Sequence, residues 1–289
     1  MGDVRIDKKY YSALSDNYEL VNMYNYTRAQ LSNLSKLSKT FMENLVSFNG
    51  TEDNIKSDLN DVRKNALLYF SIFNDNDIIN RVIEALNKVE YYTHTDNDYS
   101  LFYVYANIIA GKTGCFKEPT QMFVPDDMRF SSSVFMVHEI THMLKERNPK
   151  ECQEFSCFGE VIPMLMELII SYSFEYDKVV DVFNKRSNFI RCSSQSFDEL
   201  YQTYKFLTDK DEIRVYKAAL NESGTYVSSF YYTLVLFALF LQNKDLVLDL
   251  IKKVLRCECS TGDIIKYIGN FDLRSLYNYG LEEFNYSLK

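Results

Sequence analysis

Histidine, proline and glycine are all scarce in this chain: three, four and nine among 289 residues. So few glycines and prolines leave little material for tight turns and point to long helices. The six cysteines, at 115, 152, 157, 192, 257 and 259, form no CxxC pair. That excludes a paired-CxxC zinc module, and a chain this long and apolar has no need of disulfide staples. Cys257 and Cys259 stand close together but lack a second pair, so buried or idle thiols in a reducing cytosol are expected. Positive charge is in deficit, with 32 Lys and Arg against 40 Asp and Glu for a net −8. With the lysines dispersed, a nucleic-acid surface is not expected. Residues 1–9 are charged and polar with no apolar segment behind them, so no secretory signal is expected.

What is present is the composition of a folded globular protein, 46% hydrophobic and 25% charged. The length allows one large core or two modest ones. Residues 8–92 read as about four amphipathic helices. Leu31, Leu34, Leu37 and Phe41 fall at helical spacing, as do Ile79, Val82, Ile83 and Leu86. Polar breaks at residues 74–77 and 93–98 interrupt the pattern, and the second suggests a boundary. An N-terminal helical lobe over residues 1–97 and a second part over 98–289 are expected, joined as one compact unit with a cleft.

Residues 99–109 suit strand or helix, residues 111–114 a loop, and residues 121–124 a short strand stopped by Pro125. Ser131, Ser132 and Ser133 offer caps for a helix that ends at Asn148-Pro149. After Pro149 nearly everything reads as helix. The expected class is mainly α, with a small β element beside that helix. Residues 223–243 carry no charge and approach the length of a membrane span. Their Thr225, Ser228, Ser229, Thr233 and three tyrosines fit a buried helix lining a polar site better than lipid.

Two of the three histidines stand in His138-Glu139-Ile140-Thr141-His142, an HExxH sequence. One helical turn apart, both imidazoles can reach a single metal ion. Glu139 projects beside them, where a carboxylate can take a proton from a water on that metal. One zinc ion is the expected cofactor.

A zinc site needs a third protein ligand, and no histidine follows His142, so a carboxylate must serve. Glu146, Glu151, Glu154, Glu160 and Glu167 are the near candidates. Glu146 points a turn past the metal, and Glu151 and Glu154 lie too close to the turn. Glu160 follows Gly159 and precedes Pro163, which places it at the start of a helix. The intervening residues suffice to bring that helix back antiparallel to the first. Glu167, seven positions later on the same face, can accept the N–H of a ligand imidazole.

The segment Phe158-Gly159-Glu160-Val161-Ile162-Pro163, with Glu167 beyond, resembles the third-ligand helix of the thimet oligopeptidase and oligoendopeptidase F family of zinc peptidases. The tyrosine-rich stretch from Tyr226 through Tyr231 and Tyr232 to Thr233 is similar to that family's active-site helix. Lys266-Tyr267-Ile268-Gly269-Asn270-Phe271-Asp272-Leu273-Arg274-Ser275 resembles its C-terminal tail. The patches run in family order from Gly111 to Leu288. Two departures stand out. Family members are about twice this length, and some place a histidine where Asn221-Glu222-Ser223-Gly224 stands here. The resemblance implies a helical zincin-type (gluzincin) catalytic domain that hydrolyses short peptides, with ligands His138, His142 and Glu160.

Glu139 is then the general base, and a neutral phenol stabilises the oxyanion. The match to the family helix favours Tyr226, with Tyr231 and Tyr232 next. Extended peptides would be held by strand addition near residues 121–124. The expected partner is a peptide substrate, with no nucleic acid and no membrane, for a cytoplasmic monomer. Two other readings use the same site: a selective protease for one partner protein, or an inactive relative that binds peptide or protein.

Overall fold

The computed structural model of the chain describes residues 26–46, 55–94, 121–125, 128–146, 148, 150–151, 158–174 and 180–287. It is mainly α. The described helices are α1 (Arg28–Asn44), α2 (Leu59–Phe70), α3 (Asn76–Lys88), α4 (Ser132–Glu146) and α5 (Val161–Ser173). They continue as α6 (Val180–Tyr204), α7 (Lys210–Gln242), α8 (Lys244–Leu255), α9 (Thr261–Ile268) and α10 (Leu273–Ser287). Two short strands, β1 (Glu90–His94) and β2 (Gln121–Pro125), pair in parallel with Glu90 opposite Gln121 and His94 opposite Pro125. β1 falls partly in the stretch read from sequence as helix. The expectations for residues 1–9, 99–109 and 111–114 lie outside the described residues.

The early helices start where short polar side chains can satisfy free backbone N–H groups. Thr27 and Gln30 form a reciprocal capping box on α1. Asp58 accepts from the amides of Asn60 and Asp61 on α2, and Asp75 from those of Asp77 and Ile78 on α3. Helical spacing then sets the buried faces. α1 buries Leu31, Leu34 and Phe41. In α3 the face is rotated slightly from the sequence expectation. Ile78, Val82, Ala85 and Leu86 are inward, while Ile83 is 39% exposed. Packing against the neighbouring helices places Ile78 in the inner position.

α7 is the central helix, packed against α1, α5, α6, α8 and α10. By length and hydropathy it could cross a membrane, yet 78% of its most apolar window is buried within the protein. Phe230 of α7 meets Phe41 of α1 at 5.3 Å and Phe284 of α10 at 5.5 Å, both edge-on. Phe284 in turn meets Phe183 of α6 at 5.5 Å. Such pairs add about 0.5–1.5 kcal/mol each beyond their burial. Gly280 of α10 lets the two backbones approach, because a Cβ there would collide with the Leu234 carbonyl.

α5 is buried on every side from Val161 through Ser171, which suits its almost wholly apolar sequence. It lies against α4, α6 and α7, while α2, α3 and α8 pack on α4. Residues of α1 to α3 and of α4 to α10 contribute to a single continuous core.

Candidate metal centre

α4 buries Val134, Val137, Thr141 and Leu144 and turns a second face toward α5. Ser132 Oγ accepts the Arg129 N–H and closes the entry turn. From the second face His138 and His142 project one turn apart, their ring centroids 4.8 Å from each other. Glu139 lies on the exposed side of the helix.

Glu160 stands at the N-cap of α5, with φ −88° and ψ −7°, and its side chain makes no capping hydrogen bond. Its backbone carbonyl accepts the first helical bond, from Met164 N–H at 3.0 Å. Pro163 sits in that first turn, where its missing N–H costs nothing. The carboxylate is therefore left for another use. Oε2 lies 3.2 Å from His138 Nε2 and 3.3 Å from His142 Nε2, and the two nitrogens are 3.1 Å apart. Three donor atoms thus form a nearly equilateral triangle.

Behind the triangle, His138 Nδ1 lies 2.7 Å from Glu167 Oε1, at ion-pair distance but off the line of a hydrogen bond. Glu167 is two turns along α5 from Glu160, which brings both carboxylates to the same imidazole. Arg186 of α6 grips Glu167 with both arms of its guanidinium: Nε donates to Oε2 at 2.8 Å, and Nη2 donates to Oε1.

The electrostatics favour positive charge here. Burial pushes His138 down, but the Glu167 and Glu160 carboxylates outweigh it and lift the imidazole to about 10. Burial raises Glu160, yet the two imidazoles hold it well below the usual carboxylate range. Glu167 is likewise lowered, chiefly by Arg186 against the burial that raises it.

The loop bearing Glu160 is fastened at three points. Lys145, near the end of α4, donates to Gly159 O at 2.7 Å. Thr233 of α7 donates to Val161 O at 3.2 Å. The Phe158 ring meets Tyr232 edge-on at 5.2 Å. Thr233 belongs to the stretch read from sequence as a buried helix lining a polar site, whereas Lys145 and Arg186 were not singled out, because nothing in their spacing links them to the motif.

The other candidates are placed as follows. Glu151 accepts from the backbone and hydroxyl of Thr261 at 2.5 and 2.6 Å, at the start of α9. The side chain of Glu146 and the whole of Glu154 lie outside the described residues. Tyr226 rests edge-on against Phe189 at 4.9 Å, and Phe189 lies under the Arg186 guanidinium. Tyr231 packs at a tilt against Tyr277 at 4.9 Å, and burial followed by Asp272 raises its phenol. Tyr226 and Tyr232 therefore meet residues that support the triangle, whereas Tyr231 turns toward α10.

Among the described residues, His138, His142 and Glu160 form the group placed to hold a metal ion. No family model, curated protein or solved structure matches this chain.

Proposed function

We propose that this chain is a zinc metallopeptidase acting on short peptides, a shortened relative of the thimet oligopeptidase and oligoendopeptidase F family with a gluzincin-type site. The observation that carries this reading is the triangle of His138 Nε2, His142 Nε2 and Glu160 Oε2, with edges of 3.1, 3.2 and 3.3 Å. Tetrahedral zinc with bonds of about 2.0–2.1 Å separates its ligand atoms by about 3.3 Å. Two imidazoles and one carboxylate are also the donor set that zinc accepts in hydrolytic sites. The order of sequence patches resembling the family supports the same reading.

A zinc ion bound there would polarise the peptide carbonyl and lower the pKa of water toward neutrality. Glu139, exposed on the ligand helix, takes the proton of the attacking water. Water oxygen bonds to the carbonyl carbon, the C–N bond breaks, and Glu139 returns the proton to the leaving amine. Tyr226 donates a hydrogen bond from its phenol to the carbonyl oxygen as charge develops there. Among the described residues the sheet has two strands, so the substrate would extend it by main-chain pairing along β2. Recognition through the backbone suits varied short peptides, for a cytoplasmic enzyme working as a monomer.

The test is digestion of a mixed peptide library by the zinc-loaded chain beside Glu139→Gln, read by mass spectrometry. Cleavage by wild type alone supports the reading, and the cut sites define the substrate class. If neither protein cuts any peptide while both hold zinc, general peptide hydrolysis is excluded.

A further inference from the structure

Arg186 is contributed by α6, a helix that supplies none of the three candidate ligands. Its guanidinium nevertheless ends on the carboxylate nearest to one of them. We propose that Arg186 is a positioning residue for the metal centre, acting through Glu167 to fix the His138 imidazole and so to set metal affinity and coordination geometry. This rests on the reading of His138, His142 and Glu160 as a metal site.

The argument begins with hydrogen-bond chemistry. A buried carboxylate with one partner can rotate, or take up a proton and become a donor. Glu167 is almost fully buried, its side chain 1% exposed, and Arg186 is 10% exposed. The planar fork of Arg186 engages both oxygens and so holds the carboxylate in one rotation. With its rotation fixed, Oε1 stands 2.7 Å from His138 Nδ1, at ion-pair distance, and its negative charge favours a ring orientation that keeps an N–H on that side. Nε2 then faces the triangle with His142 and Glu160, where its lone pair would be available to a bound metal ion.

Arg186 is itself held in place. Its Cζ lies 5.3 Å from the centroid of Phe189 one turn along α6, and that ring meets Tyr226 of α7 at 4.9 Å. The chain of contacts runs from α7 through α6 to α5 and ends on α4. A lysine could supply the charge but not the fork, because an ammonium engages the two oxygens as a point charge.

The experiment measures Co2+ affinity and the visible absorption spectrum of the Co2+-loaded full chain. Wild type is compared with Arg186→Lys, Arg186→Met, Glu167→Gln and the double variant Arg186→Lys/Glu167→Gln, each checked for folding by circular dichroism. Arg186→Lys is expected to weaken Co2+ binding about 10–100-fold and to shift the absorption bands. In the Glu167→Gln background, Arg186→Lys should cause no further loss, because its effect passes through that carboxylate. Arg186→Met leaves a buried charge uncompensated, so if it does not fold, the lysine variant and the double variant decide. Wild-type affinity and spectrum in Arg186→Lys would overturn the positioning role and leave the metal centre standing, as would additive losses in the double variant. Absence of Co2+ binding by wild type would overturn both.

Discussion

Nε2 of His138 and Nε2 of His142 face each other at 3.1 Å, and Glu160 Oε2 closes the gap at 3.2 and 3.3 Å. Two imidazole nitrogens turned toward each other can share one proton or one cation between them. A divalent ion satisfies all three atoms together, so metal binding should be tightly linked to folding. Zinc at about a thousand times its Kd should stabilise the protein by about 4 kcal/mol. Scanning fluorimetry with and without a chelator measures this as a shift in Tm. Glu160→Gln should lose most of the shift, and an undiminished shift in that variant would remove Glu160 from the ligand set.

Glu139 is exposed beside the two histidines and, among the described residues, is not part of the ligand triangle. Glu139→Gln should therefore keep zinc affinity while losing about 10²–10⁴-fold in turnover. Peptide cleavage rates and metal content, determined on the same preparation, separate the two effects.

Tyr226 and Tyr231 occupy different sides of α7, one against Phe189 and the other against Tyr277. Tyr226→Phe should lower kcat about 10²–10³-fold with little change in KM, as expected for a lost oxyanion donor. Tyr231→Phe should leave kcat near wild type. The reverse pattern in steady-state kinetics would assign the donor to the other tyrosine.

Gly280 marks the closest approach of α10 to the Leu234 carbonyl of α7. Gly280→Ala cannot be accommodated by a side-chain rotation, because the obstacle is backbone. A loss of about 1–3 kcal/mol is expected, as for other overpacked cores, and urea unfolding measures it. An unchanged midpoint would mean that α7 and α10 pack less closely.

Asp75 caps α3 and pairs with Arg256, which follows α8. Burial pushes its carboxyl up, but Arg256 and the amides of Ile78 and Asp77 pull it below 3.8. The folded protein then binds the proton less readily than the unfolded chain. This contribution is present above about pH 3.8 and is lost as pH falls below it. Asp75→Ala should cost about 0.5–2 kcal/mol near neutral pH. The gap to wild type, followed by denaturant unfolding, should narrow on acidification below that point.

Much of the local structure was legible because it depends on neighbours in sequence. Spacing of Leu31, Leu34 and Phe41 marks the inner face of α1, and Gly159 and Pro163 bracket the start of α5. The expected helix end at Asn148-Pro149 lies close to the last residue of α4, Glu146. The inner face of α3 was less legible, because Ile78, Ile79 and Ile83 compete for it and only packing against neighbours selects Ile78.

The candidate site divides along the same line. His138 and His142 are brought together by one helical turn, and Glu160 and Glu167 by two, so the sequence alone determined each pair. Only the tertiary structure decided that the two pairs meet, with Glu160 closing the triangle and Glu167 standing behind His138. The Arg186 grip on Glu167 and the Lys145 bond to Gly159 were decided there too. The reason is physical: helical periodicity acts over a few residues, whereas a contact between helices depends on how they pack around α7 and on which buried charges find partners.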